Sequence, residues 1–581
     1  MTKINKVNID FNSVPLSDYP RPLLKRDSYL CLNGDWKYLI TKKPEEVLEC
    51  KNYIMVPYAV ETPLSGVNHL LCPNEYLIYE KHVILADGFL KKNLILHFEG
   101  VDQICDVYID KTKVGSHVGG YTKFSFDITK YVTSNEFTIH VVVVDYSDTS
   151  FYSRGKQALH RGGIFYTTTS GIYKPVWLEA LDENYIQDIF YTSMLDQGCI
   201  RMKIKANRDG VCKVKIDNQE IIMNTNQESL IKLAESHPWT LEDPYLYKVS
   251  IIFFDDVVTS YFGLRKVELK KASDGFKRLY LNNKLTFIKG VLDQGYYFLG
   301  NLTPEKYSDY YNEILNLKNL GYNTIRKHIK TENDLFYYYC DKLGMLVIQD
   351  FINGGEVYTK KATFIPGLFP NYKGKKDTQD YKVYGRSNSE GQTEWINECK
   401  LIQRELYDHP SIIAYTIFNE GWGQFDSEKN YCRFKGNDLT RLYDTTSGWV
   451  DFGMSDFLSI HNYFYKNSIH KDRFNKERPY LLSEYGGYGL YLEDHFYGKK
   501  PFGYRRYKDT DELTSHFKKL HKEEIIPLIK GGLMGTIYTQ VSDVEDEVNG
   551  LFTFDRKVLK INEEAIKEIN SLIDIENSKI K

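Results

Sequence analysis

The 581-residue sequence lacks the features that mark several classes of protein. Its 75 basic and 78 acidic residues leave a net charge of −3, whereas nucleic-acid and membrane-surface proteins show a basic excess. No apolar run approaches the ~20 residues of a membrane span, and residues 1–10 lack the apolar core of a signal peptide. The nine cysteines contain no C-x-x-C pair, which argues against a disulfide framework or a zinc site. We therefore expect a reduced, cytoplasmic protein without nucleic-acid or membrane partners.

The length exceeds what one hydrophobic core usually holds and predicts about three domains. Residues 19–182 contain short strand patterns separated by turn residues and no sustained helical period, which is typical of a β-sandwich or jelly roll. Residues 183–267 continue as short strands and fit a smaller immunoglobulin-like sandwich. We predict domain boundaries at 1–182, 183–270 and 271–581.

From residue 286 onward, strand and helix patterns alternate, which predicts a parallel sheet. The remaining length suits a (β/α)₈ barrel, for which ~250 residues are typical. A hairpin at 281–287, turning at an Asn pair, precedes the barrel. Residues 448–451 are the candidate for the eighth barrel strand. The other predicted strands are 287–293, 323–326, 345–350, 411–418, 457–462, 480–484 and 533–540, and the predicted helices are 304–320, 334–343 and 392–407.

Two predicted barrel strands end in a glutamate that is followed by a glycine-bearing turn. The run 411–418 is apolar and β-branched, as in strands buried on both faces, and it ends at Asn419-Glu420. The run 480–484 ends in the same way at Glu484. Such positions lie at the face where α/β barrels keep their chemistry. One glutamate of this kind is more often a helix cap or an ion-pair partner, but two favour a catalytic pair.

These motifs resemble a known family. Asn419-Glu420 and the run 483–486 (Ser-Glu-Tyr-Gly) are similar to the acid/base and nucleophile motifs of glycoside hydrolase family 2, the group of β-galactosidases, β-glucuronidases and β-mannosidases. The runs 32–36, 119–121 and 169–179 resemble its amino-terminal sugar-binding domain, for which we favour a purely architectural role. The resemblance implies a retaining glycosidase in which Glu420 is the acid/base and Glu484 the nucleophile.

The same resemblance suggests further contacts in the site. Asn419 matches the asparagine that binds the sugar 2-hydroxyl, with a helix cap as the alternative. Arg326 matches the arginine that keeps the nucleophile ionised, since a nearby cation favours a carboxylate. The run 323–330 departs from the family pattern after Arg326, so no role carries over to Lys327, His328 or Lys330.

Other candidate substrate contacts follow from their positions at predicted strand ends. Asp293 and Asp350 close strands and are either ligands of sugar hydroxyls or structural loop anchors. His461 is a further candidate contact. The family resemblance, rather than position, implies a tyrosine that hydrogen-bonds the nucleophile, for which Tyr463 is the candidate and Tyr485 the alternative. We also expect Trp422 to form a wall of the sugar site, with core packing as the alternative.

The resemblance implies an exo-acting β-glycosidase whose partner is a carbohydrate substrate, with β-galactosidase first and β-mannosidase as an alternative. A β-glucuronidase would carry a downstream Asn-x-Lys that holds the sugar carboxylate. Asn549 has no lysine two residues on, and Lys327 or Lys330 would have to substitute. A catalytically silent carbohydrate-binding protein is disfavoured because both glutamates are present. No residue spacing indicates a cofactor or a metal site, and a homo-oligomer is left open.

The segment 355–392 is too long for an ordinary loop of ~12–15 residues. Its aromatic residues argue against a disordered linker, and it leaves from the strand ends that hold the two glutamates. We predict that it covers the pocket mouth and selects the leaving group, with a flap on the side of the barrel as the alternative. The aromatic residues are Phe364, Phe369, Tyr372, Tyr381 and Tyr384.

Overall fold

The computed structural model describes residues 7–43, 49–359, 365–368, 376–474 and 476–580. In these ranges two β-sandwiches precede an α/β barrel, as predicted. No helix there is long and apolar enough to cross a membrane. The domain boundaries remain a prediction.

The first sandwich consists of a four-stranded sheet in the order β1-β12-β5-β9 and a six-stranded sheet in the order β3-β2-β4-β10-β7-β8, and β6 pairs with β11. In β10 every second side chain is buried, which is the period of a strand with one face on the core. Its strands are β1 Tyr29–Cys31, β2 Gly34–Thr41, β3 Asn52–Val56, β4 Tyr76–Ile84, β5 Asn93–Phe98, β6 Val101–Asp102, β7 Ile104–Ile109, β8 Thr112–Val118, β9 Phe124–Asp127, β10 Glu136–Val144, β11 Gly171–Ile172 and β12 Val176–Leu181.

The second sandwich packs a three-stranded sheet, β13-β14-β17, against a four-stranded sheet, β16-β15-β18-β19. Its strands are β13 Ile186–Met194, β14 Cys199–Ala206, β15 Val211–Ile216, β16 Gln219–Asn224, β17 Glu228–Lys232, β18 Tyr247–Phe253 and β19 Asp256–Phe262. A three-stranded sheet then leads into the barrel: β20 Val267–Lys271, β21 Lys277–Leu281 and β22 Lys284–Leu285. The predicted hairpin is confirmed, since Asn282 and Asn283 form its turn with φ values of 52° and 66°.

Eight parallel strands form the barrel in the order β27-β26-β25-β24-β23-β32-β29-β28. Most are buried along their whole length, because side chains on one face fill the barrel and those on the other contact the outer layer. The barrel strands are β23 Ile288–Asp293, β24 Thr324–Lys327, β25 Leu346–Asp350, β26 Ile412–Asn419, β27 Leu442–Ser447, β28 Leu458–Asn462, β29 Tyr480–Gly486 and β32 Leu533–Thr539, with a small parallel pair, β30 Tyr488–Leu490 and β31 Arg505–Tyr507, between the last two.

The predicted eighth strand at 448–451 is wrong. The strand is β27, which ends at Ser447, and residues 448–451 belong to the loop that follows it. Asp444, Thr445 and Thr446 interrupt the apolar run that usually marks a buried strand. Within the described residues no ladder joins β27 to β28, and this seam is bridged by the hydroxyls of Ser447 and Ser459, 3.2 Å apart.

Two helices of the barrel begin at an asparagine whose side chain caps the first turn. Asn333 accepts a hydrogen bond from the Leu335 amide, and Asn388 accepts one from the Gly391 amide. The predicted helix 334–343 is confirmed at its predicted ends as α2, and the predicted helices 304–320 and 392–407 are confirmed with shifted ends as α1 and α4. The described helices are α1 Tyr307–Asn319, α2 Asp334–Leu343, α3 Ile365–Leu368, α4 Ser389–Glu405, α5 Ser427–Asn437, α6 Thr510–Leu520, α7 Ile526–Ile529 and α8 Glu563–Ser578, with a π-helical turn at His521–Ile525 and 3₁₀ turns at Pro63–Ser65, Thr129–Tyr131, Ser147–Thr149, Leu195–Gln197 and Glu493–His495.

A loop of the first sandwich, residues 151–167, reaches over the carboxyl ends of the barrel strands. Its backbone pairs with the loop after β25: the amides of Arg154 and Gly155 donate to Asn353 O at 3.0 and 3.2 Å. The amide of Gly355 returns a bond of 3.1 Å to Tyr152 O. These bonds fix the sandwich loop above the barrel.

The segment 355–392 is only partly described, and Phe364, Phe369 and Tyr372 lie outside the described residues. Tyr384 is buried against Val450, and the Tyr381 hydroxyl donates to Asp426 at 3.0 Å. Both tyrosines therefore pack on the barrel.

Candidate active site

Glu420 follows the last residue of β26, and its backbone has a φ of 53°. An L-residue rarely adopts this left-handed conformation, and such strain is concentrated at functional sites. The next residue, Gly421, has a φ of 80°. The Glu420 amide donates to Ser447 O at 2.8 Å. The chain therefore leaves the strand sharply at Glu420, and its carboxyl group lines a cavity at the barrel mouth.

Glu484 lies on β29, which is separated from the seam by β28 alone. Both of its carboxylate oxygens accept hydrogen bonds. Oε1 accepts a hydrogen bond from Arg326 Nη1 at 3.0 Å, and Oε2 accepts one from the Tyr463 hydroxyl at 2.6 Å. The alternative tyrosine, Tyr485, points elsewhere, since its hydroxyl lies 2.8 Å from His521 Nε2. Tyr463 is thus the tyrosine that contacts Glu484.

Arg326 connects the strand ends beneath the cavity. Its guanidinium makes two 3.0 Å bonds to the carboxylate of Asp350 and a 2.9 Å bond to Asn419 Oδ1. Asp350 also accepts from His328 Nδ1 at 2.7 Å, and this aspartate is 1% exposed. Asp350 therefore holds Arg326 in place, and the interpretation of Asp350 as a sugar ligand is wrong.

His461, on β28, lies between the two glutamates. Its Nδ1 is 2.7 Å from Glu420 Oε1, and its Nε2 is 3.3 Å from Glu484 Oε1. Nε2 also lies 2.7 Å from the Ser447 hydroxyl. Because the protein surrounds both nitrogens and the side chain is fully buried, the structure does not support His461 as a direct substrate contact.

The electrostatics of the site distinguish the two glutamates. Burial raises the pKa of Glu420 to about 7, against the opposing charges of Lys156 and Arg326. Burial also raises the pKa of Glu484, and Arg326, in direct contact, opposes the rise. Burial lowers the pKa of His461 to about 4, so its ring is neutral at pH 7. The site can therefore hold a protonated Glu420 beside a Glu484 that a cation and a phenol stabilise in its charged form.

Glu420, His461 and Glu484 together carry the donor atoms that a metal site needs. One potential ligand atom from each lies within 4.8 Å of the others. However, the two imidazole nitrogens are directed at different carboxylates, and Glu484 already accepts from a guanidinium and a phenol. This arrangement is a chain of hydrogen bonds, and the residues do not fit a bound cation.

The cavity above these residues has a volume of about 610 Å³ and walls from two domains. Trp422 lines it and packs against Phe165 of the sandwich loop with ring centroids 5.5 Å apart, while its role as a wall of a sugar site stays a prediction. The interpretation of the first sandwich as purely architectural is therefore incomplete. Another cavity, of about 480 Å³, is lined by Glu313 and Arg556, and neither Glu420 nor Glu484 lines it. The lining of the first includes Asp148, Arg154, Gln157, His160, Phe165, Val357, Tyr358, Glu420, Trp422, Trp449, Tyr463 and Tyr504.

Two charged residues near the glutamates were missed from the sequence. Lys156, from the sandwich loop, is 8% exposed, and its ammonium lies 5.6 Å from the centroid of the Trp422 ring. Among the described residues no carboxylate pairs with it. Glu547 is buried, accepts from the Tyr166 hydroxyl and raises the pKa of Glu420. Neither residue directly follows a barrel strand, so a search for polar residues at the ends of predicted strands does not identify them.

The remaining predicted residues serve the scaffold. The Asp293 carboxylate accepts from Lys327 Nζ at 2.5 Å and from the Gly295 amide at 2.7 Å, so Asp293 is a loop anchor and not a sugar ligand. Lys330 Nζ donates to two backbone carbonyls and pairs with Glu332 at 2.9 Å. Neither Lys327 nor Lys330 is thus free to bind a sugar carboxylate.

The fold and the site define a class: a (β/α)₈ barrel, preceded by two β-sandwiches, with two facing glutamates at its strand ends. Residues 50–181 match the model for the glycosyl hydrolases family 2 sugar binding domain, and residues 273–496 match the model for the TIM barrel domain of the same family. Together the matches cover more than half of the chain, which belongs to glycoside hydrolase family 2.

Curated relatives carry two different names. A β-galactosidase of Thermoanaerobacter pseudethanolicus is 27% identical over 85% of this chain and 64% of its own length. A β-glucuronidase of Streptococcus agalactiae is 23% identical over 69% of this chain and 68% of its own length. The chain thus spans less than two thirds of the first of these relatives.

Solved structures share the whole architecture at low identity. A Ruminococcus gnavus β-glucuronidase superposes with a TM-score of 0.74 at 15% identity, covering 96% of this chain and 99% of its own. A β-galacturonidase of family 2 from Eisenbergiella tayi gives 0.69 at 18% identity, covering 96% of this chain and 98% of its own. At these identities the likeness shows the fold alone.

Proposed function

We propose that this protein is an exo-acting, retaining β-glycosidase that hydrolyses the terminal sugar of small β-glycosides or oligosaccharides. The observation that carries the proposal is the proximity of the two glutamates, which have carboxylate oxygens within 4.8 Å of each other. Retaining enzymes place their carboxyl groups ~5–5.5 Å apart, whereas inverting enzymes leave room for a water at ~6.5–9.5 Å.

In the first step Glu484 attacks the anomeric carbon, and Glu420 gives its proton to the departing oxygen. The raised pKa of Glu420, about 7, supplies that proton near neutral pH. Arg326 and Tyr463 hold Glu484 from both sides. They leave its charge available for attack and fix the direction of the attacking carboxylate.

In the second step Glu420, now ionised, takes a proton from water, and that water releases the sugar from Glu484. Asn419 is proposed to bind the sugar 2-hydroxyl. Its Oδ1 accepts from Arg326, so its amide nitrogen is turned toward other partners. A cavity walled by two domains, rather than an open groove, favours cleavage at the end of a sugar chain.

For the sugar, a β-galactoside is the first candidate, with a β-mannoside as a family alternative. Curated relatives named β-galactosidase support it. The region at Asn549, where a β-glucuronidase is expected to carry Asn-x-Lys, has no lysine two residues on. Asn549 Nδ2 donates to Glu547 Oε1 at 2.9 Å, so a carboxylate occupies the neighbourhood where a uronate-binding lysine would be needed.

A β-uronide is the second candidate, and one observation favours it. Lys156 is a buried cation close to the glutamates without a carboxylate partner among the described residues. A sugar carboxylate would be such a partner. Relatives and solved structures named for uronides have the same fold.

Purified protein assayed with nitrophenyl β-glycosides of neutral and uronic sugars tests these proposals. The first candidate predicts the highest kcat/KM on the β-galactoside, with the Lys156→Gln variant affected about equally on all sugars. If a β-uronide is the best substrate and Lys156→Gln lowers its kcat/KM by roughly 10- to 100-fold, the second candidate is correct. Lys113→Gln, at an exposed lysine of the first sandwich, is the matched control. Binding without turnover of any glycoside would favour a silent carbohydrate-binding protein.

A further inference from the structure

His461 contacts both glutamates through one imidazole ring, and its tautomer decides what each contact does. A neutral imidazole has one N–H donor and one acceptor nitrogen. At Nδ1 the partner is Glu420 Oε1, 2.7 Å away. At Nε2 the near neighbours are the Ser447 hydroxyl at 2.7 Å, Arg326 Nη1 at 3.3 Å and Glu484 Oε1 at 3.3 Å.

The surroundings of Nε2 favour an acceptor there. A guanidinium can only donate, and Arg326 Nη1 lies as close to Nε2 as the Glu484 oxygen does. The Ser447 hydroxyl has one proton, for which Nε2 at 2.7 Å and Ser483 Oγ at 3.0 Å are the two acceptors, and the shorter contact assigns it to Nε2. The proton of His461 then lies on Nδ1.

With a proton on Nδ1, the ring donates to Oε1 of Glu420. That oxygen remains an acceptor whether Glu420 is charged or neutral. Within the described residues no hydrogen bond engages Oε2, and Glu420 lines the cavity. The transferable proton of Glu420 is thereby confined to Oε2, the oxygen available to a substrate.

We propose that His461 is a positioning residue: its Nδ1–H holds Oε1 of Glu420 and keeps the acid proton on Oε2. The proposal rests on the proposed function for its catalytic meaning. A hydrogen bond to the charged form of a carboxyl group stabilises that form, so its loss raises the pKa.

Several charged groups face this contact and are common to the wild-type protein and the variants below. Arg326 from β24 and Lys156 from the sandwich loop oppose the rise of the Glu420 pKa, and Glu547 adds to it. Glu484 from β29 and Asp350 from β25 raise the pKa of His461 against the larger effect of burial. A difference in the Glu420 pKa between two substitutions at His461 therefore reports whether the hydrogen-bond donor to Glu420 is lost or retained.

Two substitutions at position 461 separate the nitrogens. In His461→Asn the side-chain amide can replace Nδ1–H as donor to Glu420. In His461→Gln the amide reaches the place of Nε2, and the donor to Glu420 is lost. We expect the basic limb of the kcat/KM profile to rise by about one pH unit in the Gln variant and to keep its wild-type position in the Asn variant.

The Gln variant should also lose roughly tenfold more rate on poor leaving groups than on activated ones, because part of its acid form carries the proton on Oε1. The Asn variant should show a smaller difference between the two substrates. Equal shifts of the basic limb in both variants, or no shift in the Gln variant, would contradict the proposal.

The tautomer can be measured in the unmodified protein without substrate. ¹⁵N NMR of histidine-labelled protein separates protonated from unprotonated ring nitrogens, and the signals of His461, one of 14 histidines, are those absent in His461→Asn. We expect protonated Nδ1 and unprotonated Nε2 at pH 7; the reverse assignment would overturn the proposal. A wild-type protein that cleaves no β-glycoside would refute the proposed function. The NMR measurement would then still decide whether His461 donates from Nδ1 to Glu420.

Discussion

The Tyr463 hydroxyl lies 2.6 Å from Oε2 of Glu484. Tyr485 is next to Glu484 in the sequence, but its hydroxyl forms a hydrogen bond with His521. Adjacent residues of a strand point to opposite faces, so the tyrosine nearest in sequence is directed away from the carboxylate. Burial and the Glu484 charge raise the pKa of Tyr463 well above its usual range, and it remains a donor at any pH at which the protein works.

Replacing Tyr463 with Phe should lower kcat by roughly 10- to 100-fold, the range expected for a hydrogen bond to a charged group. Tyr485→Phe removes the same atom one residue from Glu484 without touching the carboxylate, and it should stay within about threefold of wild type. Steady-state kinetics on one nitrophenyl glycoside compares them. Similar losses in both variants would mean that packing, and not the bond to Glu484, is responsible.

Glu484→Gln should reduce turnover to background, because an amide cannot form the glycosyl ester. A 2-fluoro glycoside with a good leaving group should add one sugar to the wild-type protein, detected by intact mass. Peptide mapping should place the label on Glu484. Label on Glu420 or Glu547 would reassign the nucleophile.

Glu420→Ala should lose roughly 10²- to 10⁴-fold on poor leaving groups, the usual contribution of general acid catalysis. Dinitrophenyl glycosides need little protonation and should lose far less in their first step. Azide should restore turnover by attacking the glycosyl-enzyme in place of activated water, giving a β-glycosyl azide. An equal loss on both substrates would rule out the acid role.

The pH dependence should follow Glu420. Its protonated form is the active one, so kcat/KM is highest below a pKa of about 7, as long as Glu484 stays ionised, and is lost as pH rises through that value. Above that value kcat/KM should fall about tenfold per pH unit for poor leaving groups. A dinitrophenyl glycoside should show a flatter basic limb. The same limb for both substrates would assign it to another group.

The anomeric configuration should be retained. Proton NMR of the first sugar released should show the β-anomer, followed by slow mutarotation. An initial α-anomer would mean that water attacks directly between the two carboxylates, despite the short separation of their oxygens.

The segment 355–392 is still predicted to select the leaving group. Val357 and Tyr358 line the cavity, which supports this. Deleting residues 372–389 would also remove Asp377, whose carboxylate accepts from the Ser427 amide at 3.0 Å, so point substitutions are a cleaner test. Val357→Ala and Tyr358→Ala should change the ratio of kcat/KM between long and short leaving groups, with Val257→Ala in the second sandwich as the control. An unchanged ratio would make the segment structural.

The sequence predicts the positions of Glu420 and Glu484 well because a carboxylate after a buried parallel strand is at the barrel mouth by geometry. It failed for β27, where Asp444 and Thr445 fill positions that are usually apolar. Asp293 and Asp350 also stand at the ends of barrel strands. Their carboxylates, however, pair with Lys327 and Arg326 of a neighbouring strand. The side-chain pairing across strands decides which strand-end carboxylates remain available, and a single sequence does not contain it.

Lys156 and Phe165 were beyond such prediction for another reason. They lie in a loop of a domain that comes over a hundred residues before the first barrel strand. Their position depends on how the sandwich docks, which arises from many distant contacts. His461 was identified as a candidate, but its role as a link between the glutamates required both of its neighbours in place.

The backbone bonds between residues 152–155 and 353–355 have a consequence for engineering. A barrel transferred without its sandwich would lack the pocket wall that the sandwich loop forms. A sandwich transferred to another barrel would bring the wall of its own pocket with it. The unit that can be exchanged between relatives is therefore the pair of joined loops together with the strand ends beneath them. A chimaera with its crossover at residue 270 should fold and still inherit a mixed substrate preference, while one that transplants both loops should move that preference intact.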